Sequence, residues 1–390
     1  MRFCDIPIDL VFARLLLHTI PEDLNLLDYN ILKNLDEKCI LSLNGSRVTD
    51  EILRLVPNTE TFHIALRCIK YWAQRRALYG NVMGYLGGVA YAMLVARICQ
   101  LYPNAAAFVV VARFFKIFSQ WQWPQPVLLK RMEEAPLQMR VWNPSIYPTD
   151  RYHKMPIITP AYPSMCATHN VSSSCLSVIT SEFSRGSELT LKIEQNLSSW
   201  RELFLPTDFF YRYRHYFQVI GYSTNEDDHR IWHGFIESKL RHLGLKLEPI
   251  TNVLGAYPYP KPFDINFYGE NVESVVKKHS FFESELSESE TTSESRQFFT
   301  SAFYVGLAVE APKGGFQDLT LDSSVTRKLY VERPIEEFKS MLNDWEKKSS
   351  EMESLVRYVR RDFLPNYVFE GSIRPPKSKK SKKKMKTESK

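Results

Sequence analysis

A glycine-rich turn is the first feature of the sequence that could do chemistry. Residues 80–88 read GNVMGYLGG and separate two stretches in which apolar residues recur at helical spacing. A helix that begins just after Gly87 and Gly88 offers unpaired backbone N–H groups to an anion, and glycine lets a phosphate or a ribose come close. The same turn could instead serve only to pack two helices tightly. The turn alone leaves both interpretations open.

A carboxylate, Asp9, is conspicuous in the apolar segment FCDIPIDLVFA at residues 3–13. The segment alternates well enough to predict a strand, with Ile6, Ile8 and Leu10 on one face and Asp9 on the other. Taken alone, this pattern favours an edge residue that faces water.

Length and composition predict a globular chain of two or three domains. With 390 residues the chain is too long for one ordinary hydrophobic core, and 44% of its residues are hydrophobic. Its most apolar stretch, residues 105–111, is far too short to cross a membrane. The six cysteines form no CxxC pair, which predicts buried free thiols rather than a zinc site.

Charge is unevenly distributed along the chain. The formal net charge of +6 is mild, but seven lysines lie between residues 377 and 386, in a segment that is poor in apolar residues. This tail is predicted to be disordered and favours a nuclear localisation signal, while an RNA-binding arm or a merely solvated end stays open. The acidic, serine-rich segment SELSESETTSES at 284–295 is predicted to be a disordered loop that could be phosphorylated.

Periodicity predicts a mainly helical region followed by a small α+β domain. One apolar stripe joins residues 62, 66, 69, 72 and 73. The other predictions, in chain order, are a helix at 89–101, ordered irregular connections at 103–170, a helix at 178–204, a strand at 212–221, a helix at 228–243, a strand at 299–310 and a helix at 336–359.

Six long segments can be compared with known families. They are IDLVFARL (8–15), TIPEDL (19–24), SLNGSRVTDEIL (42–53), LRCIKYWAQRR (66–76), GYLGGVAYAMLVARICQLYPNA (84–105) and DRYHKMPIITPAYP (150–163). Taken together, they resemble the eukaryotic nuclear poly(A) polymerase family. The resemblance is weaker over residues 200–368, where RYRHYF, GFIESKLRHL and FYVGLAVE look like the family's RNA-recognition-motif-like (RRM-like) domain.

The resemblance implies an α+β multidomain fold in four parts. These are a remnant of the nucleotidyltransferase catalytic sheet at 1–20, a central helical domain at 21–195, an RRM-like RNA-binding domain at 196–368 and a disordered basic tail at 369–390.

The resemblance also implies a reaction. The family transfers AMP from ATP to an RNA 3' end, using two Mg²⁺ ions that three carboxylates hold; Mn²⁺ is the alternative ion. One ion can lower the pKa of the attacking 3'-hydroxyl while the other stabilises the leaving pyrophosphate. Asp9 matches the third carboxylate, as a catalytic residue and metal ligand. The D-x-D that supplies the other two is absent from these residues, so we expect the sequence to be truncated at its N-terminus.

The ATP contacts implied by the resemblance lie around the glycine-rich turn. Lys70 would act on the phosphates as a point charge and Tyr79 as a hydrogen-bond donor. The other implied ATP contacts are Asn44 near the reacting end, Asn81 at the adenine edge, and Gly88 and Val89 along the ribose and base.

RNA is expected to contact the RYRHYF segment through Arg212, Arg214 and Tyr216, by stacking and phosphate contacts. The implied protein is a monomer of the nucleus that acts on mRNA 3' ends with the cleavage and polyadenylation machinery and has no membrane partner. Two alternatives remain: a catalytically inactive RNA- and ATP-binding paralogue that regulates 3'-end processing, and a related terminal transferase with another nucleotide preference.

Overall fold

The computed structural model describes residues 2–4, 6–8, 10–133, 137, 139–280, 295–310 and 325–369. The chain divides into two compact units, residues 1–207 and 208–390. Asp9, almost all of the predicted acidic loop and almost all of the basic tail lie outside the described residues.

The first unit is mainly helical. Its strands and helices are β1 (Arg2–Phe3), β2 (Ile6–Pro7), α1 (Glu37–Leu55), α2 (Thr59–Arg75), α3 (Gly88–Leu101), α4 (Ala107–Ser119), α5 (Pro148–Arg151), α6 (Ser173–Glu194) and α7 (Trp200–Leu203). The long helices α1, α2 and α6 each begin after a side chain that accepts a hydrogen bond from the first turn, at Asp36, Asn58 and Ser172. These caps set where the helices start.

An aromatic core holds α2, α4 and α6 together. Trp72 is fully buried, with its ring centroid 4.9 Å from that of Phe115 and 5.9 Å from that of Phe183. Gly186 of α6 lies so close to Phe115 that an added Cβ would overlap the ring. The two helices can therefore approach this closely only because residue 186 has no side chain.

The first unit extends past residue 195, where the sequence predicted the RRM-like domain to begin. Nη1 of Arg76 donates to the carbonyl oxygens of Leu205 at 3.0 Å and Pro206 at 2.5 Å. These bonds attach residues 205–206 to the C-terminal end of α2. The four-part division of the sequence stays a prediction.

Two local predictions for the first unit need correction. Among the described residues of the strand predicted at 3–13, only the short antiparallel pair β1 and β2 forms, because the chain reverses at Cys4 (φ 48°) and Pro7 has no N–H to donate. Helix α4 lies inside the stretch predicted to be irregular. Helix α1 begins at Glu37 and includes Asn44.

The second unit is an antiparallel sheet with helices. Its elements are α8 (Phe209–Arg212), β3 (His215–Ser223), α9 (Glu226–Leu247), β4 (Val253–Pro258), β5 (Phe263–Gly269), α10 (Val272–Lys278), β6 (Arg296–Val309), α11 (Val325–Asn343) and β7 (Glu353–Arg360). The strand order is β4-β6-β3-β7, and β5 also pairs with β6. Helices α9 and α11 contact each other and the sheet. Together with this strand order, they form the βαββαβ arrangement of an RRM-like domain.

Both faces of this sheet are buried at β3, because every residue of the strand is buried. Gln218 donates through Nε2 to the Tyr304 hydroxyl at 2.6 Å, and that hydroxyl lies 2.9 Å from the Tyr367 hydroxyl. The ring nitrogens of His279 lie 2.7 Å from the Tyr367 hydroxyl and 2.8 Å from Oγ1 of Thr300. A hydrogen-bonded polar network therefore covers the face that an RRM usually presents to RNA.

Two boundaries in the second unit also differ from the predictions. The strand predicted from residue 212 begins at His215, because Phe209–Arg212 form the short helix α8. The helix predicted at 336–359 ends at Asn343, and Glu353–Arg360 is instead a strand paired with β3.

No helix in the described part of the chain is long and apolar enough to span a membrane.

Candidate nucleotide-binding site

The turn between α2 and α3 is closed by its own backbone. Tyr79 bridges Leu86, the N–H of Gly80 donates to the Leu86 carbonyl at 3.1 Å, and the N–H of Tyr85 donates to the Gly80 carbonyl at 3.1 Å. Helix α3 then begins at Gly88 without a side-chain cap. The first N–H groups of α3 are therefore open to an anionic ligand.

Lys70, Tyr79 and Gly88 meet at this end of α3. A Cβ added to Gly88 would lie 2.8 Å from the Tyr79 hydroxyl and 3.7 Å from Nζ of Lys70. Nζ of Lys70 lies 5.9 Å from the centroid of the Tyr79 ring. Within the described ranges, no carboxylate pairs with Lys70 and no group hydrogen-bonds the Tyr79 hydroxyl. A cation and a hydroxyl donor thus converge on an uncapped helix start.

The ring of Tyr79 packs against the ring of Tyr91. The two rings are stacked with centroids 6.1 Å apart and planes 8° apart, and the Tyr91 hydroxyl donates to the Leu78 carbonyl at 2.9 Å. Burial raises the pKa of Tyr91 well above its ordinary value, so this support stays protonated. Tyr79 is therefore positioned before any ligand arrives.

Asn81 adds an unsatisfied acceptor to the same turn. Its Oδ1 is buried and has no hydrogen-bond partner among the described residues. Its backbone carbonyl accepts from Nδ2 of Asn170 at 3.2 Å. A Cβ added to Gly87 would lie 3.4 Å from Cβ of Asn81, which places the side chain beside the start of α3. Since a buried unpaired acceptor is costly, a ligand donor would stabilise it.

The structure gathers five of the six predicted ATP contacts at one turn. Lys70, Tyr79, Asn81 and Gly88 lie there as described, and Val89 is the second residue of α3 with 38% of its surface exposed. Asn44 lies on a different helix, α1, and its Oδ1 is likewise buried without a partner in the described part of the chain.

Sequence reasoning missed two residues that hold this site. Tyr91 lies three positions after Gly88, so helical spacing could have placed it on the same side of α3. Asn170 is 89 positions from Asn81 and carries no local signal.

The described residues do not build a metal site. No group of three His, Cys, Asp or Glu side chains in these ranges could hold a metal ion, and Asp9 lies outside them.

The three predicted RNA contacts differ in how accessible they are. Nη2 of Arg212 pairs with Oδ1 of Asp208 at 2.7 Å, and Arg214 is exposed. Tyr216 is fully buried, and its hydroxyl donates to the Phe209 carbonyl at 2.8 Å. Burial also raises the pKa of Tyr216. Its ring thus packs in the core of the unit and offers no face for a base, which corrects that expectation.

The glycine-rich turn and the RRM-like unit define an α+β protein with a candidate nucleotide site. Family models match the whole arrangement: a poly(A) polymerase nucleotidyltransferase domain at residues 1–56, a poly(A) polymerase central domain at 61–206, and a poly(A) polymerase predicted RNA binding domain at 208–378. The chain belongs to the poly(A) polymerase family.

Named relatives support this assignment. The chain is 46% identical over 398 residues to the poly(A) polymerase PAPalpha of Candida albicans, covering 99% of this chain and 70% of that protein. It is 42% identical over 409 residues to the poly(A) polymerase pla1 of Schizosaccharomyces pombe, covering 97% and 71%. It is 42% identical over 379 residues to nuclear poly(A) polymerase 1 of Arabidopsis thaliana, covering 96% and 47%. Membership of the family implies an ATP substrate, RNA binding and use of a divalent metal ion.

Proposed function

We propose that the chain is a polynucleotide adenylyltransferase that adds AMP from ATP to the 3' end of mRNA. The observation that carries this proposal is the convergence of Lys70, Tyr79 and Gly88 at the uncapped start of α3. Family membership indicates the reaction, and the turn is the proposed binding position of the nucleotide.

In this proposal the triphosphate lies against Lys70, Tyr79 and the first N–H groups of α3. The ammonium group is the point charge, the hydroxyl donates, and the helix start adds N–H donors and a favourable dipole. Gly88 leaves the space that a side chain would fill, so the ribose can come close.

The base is proposed to lie beside Asn81 and Val89. The unpaired Oδ1 of Asn81 can accept a hydrogen bond from the 6-amino group of adenine, a donor that guanine lacks at that position. The exposed Val89 offers apolar contact to the ring. Asn44, with a second unpaired Oδ1, is proposed to bond the substrate near the reacting end.

The remaining assignments are also proposals. The metal ion is proposed to be Mg²⁺, with Mn²⁺ as the alternative and Asp9 as this chain's ligand. Arg212 and Arg214 are the exposed candidates for RNA contact in the second unit. We propose that the chain is monomeric, acts in the nucleus and works with the cleavage and polyadenylation machinery.

A lysine substitution tests the site. In the full chain, Lys70→Gln should weaken ATP binding by about 10- to 150-fold, because a hydrogen bond to a charged group contributes about 1.5–3 kcal/mol. Lys192→Gln, at an exposed position on α6, is the matched control and should leave ATP affinity unchanged. ATP affinity is measured by titration, and AMP transfer by extension of an oligo(A) primer. Equal ATP affinity in the two variants would refute the site.

The alternative candidate is an RNA- and ATP-binding regulator without catalysis. Primer extension with Mg²⁺ and with Mn²⁺ separates the two candidates: extension supports the transferase, and tight binding of ATP and RNA without extension supports the regulator.

A further inference from the structure

A basic and aromatic surface lies in the first unit at residues 140–154, called here the 140–154 loop. Tyr152 is 75% exposed, and Arg151 and Lys154 on either side of it are exposed too. Neither cation has an acidic partner among the described residues. An exposed ring beside cations that no carboxylate neutralises is a common way to bind single-stranded nucleic acid.

The loop has one carboxylate, and its interactions are internal. Asp150 is the only acidic residue between positions 135 and 181. It is buried, with Oδ1 3.0 Å from Nη2 of Arg140 and Oδ2 accepting from the N–H of Asn143 at 2.9 Å. Within residues 135–181 the exposed formal charges are therefore all positive, since the one carboxylate is buried.

Hydrogen bonds hold the loop in one shape. The indole N–H of Trp142 donates to Nδ1 of His153 at 3.0 Å, and burial lowers the pKa of His153, so this nitrogen stays available as an acceptor. Arg151 donates to the carbonyl oxygens of Pro144 at 2.6 Å and Ser145 at 3.0 Å. Tyr152 thus projects from a backbone that is ordered without ligand, which lowers the entropy cost of binding.

We propose that the 140–154 loop binds the single-stranded RNA substrate, with a base stacked on Tyr152 and phosphates beside Arg151 and Lys154. This inference rests on the proposed function for the identity of the RNA. It adds an RNA contact in the first unit, apart from Arg212 and Arg214 of the second unit.

The test measures RNA affinity of the full chain by fluorescence anisotropy of a labelled oligo(A), without ATP. Tyr152→Ala should weaken binding by about 5- to 150-fold, the range for loss of one base stack, and Tyr152→Phe should keep the affinity because it keeps the ring. Phe108→Ala, at a ring on α4 that is 57% exposed, is the matched control and should not change the affinity. Thermal unfolding should be the same for all three variants, since each changed side chain is exposed.

The charges are tested by salt dependence. Lys154→Gln, which leaves the hydrogen bonds of Arg151 within the loop intact, should reduce the slope of log K against log salt by about 0.7, because each phosphate contact to a single strand contributes about that much. Unchanged affinity in Tyr152→Ala, or an equal loss in Phe108→Ala, would overturn the inference. RNA binding that depends on Tyr152 in a chain that never transfers AMP would support the loop while refuting the proposed function.

Discussion

Gly88→Ala separates nucleotide binding from stability. The added Cβ would lie 2.8 Å from the Tyr79 hydroxyl, well inside van der Waals contact, so the hydroxyl must move. The hydroxyl is the far end of a half-buried side chain and has no partner in the described residues to lose. The strain is therefore small, and alanine gains up to about 1 kcal/mol of helix propensity over glycine. We expect the free energy of unfolding to change by less than about 1 kcal/mol.

Gly88→Ala should weaken ATP binding. The moved Tyr79 hydroxyl would lose its proposed hydrogen bond to a charged phosphate, which is worth about 1.5–3 kcal/mol, so the dissociation constant for ATP should rise about 10- to 150-fold. The assay is ATP titration beside chemical unfolding of the same samples. Gly234→Ala on α9 is the control, because an added Cβ there meets nothing within 4 Å. An unchanged ATP affinity in Gly88→Ala, with the fold intact, would refute the placement of ATP at the start of α3.

Three further predictions concern stability. Gly186→Ala should destabilise the first unit by about 1–3 kcal/mol through overlap with Phe115; a raised unfolding midpoint, as helix propensity alone predicts, would contradict this packing. Arg76→Met should cost up to about 3–5 kcal/mol in chemical unfolding, because it removes the bonds of 2.7 and 2.8 Å to buried Glu182 and leaves the longer ion pair with Arg185 at 3.6 Å; adding Glu182→Leu should recover part of the loss, and no recovery would count against the pair. Burial lowers the pKa of His279 to about 3, so the neutral ring stabilises the fold fully above about pH 6.5, and this stabilisation is lost as pH falls towards 3. The free energy of unfolding at pH 5 should be about 2 kcal/mol lower than at pH 7.5. His279→Gln should lack that part of the pH dependence.

The helices that flank the glycine-rich turn could be predicted from the sequence because their signals are local. The stripe on α2 places Phe62, Ile69 and Trp72 in the core, and the predicted helix at 89–101 matches α3 to within one residue. Lys70, Tyr79 and Gly88 are joined by one helix end, one turn and one helix start. Short-range geometry therefore sufficed to bring them together.

The signal of helix α4 is local too, although the stretch that contains it was predicted to be irregular. Its buried residues Val110, Val111, Phe114, Phe115 and Phe118 recur at helical spacing. Strand β7 could not be predicted in the same way. Residues 353–360 become a strand because β3 offers them a paired edge, far away in sequence.

The sequence by itself determined the family, the glycine-rich turn and the types of residue at it, since these depend on neighbouring positions. Only the tertiary structure decided which candidate side chains are accessible. In the folded chain Tyr216 is buried against Phe209, Gln218 and His279 cover one face of the sheet of the second unit, and Tyr152 is exposed. Accessibility is decided by which distant segments pack on a residue, and spacing along the chain carries little information about that.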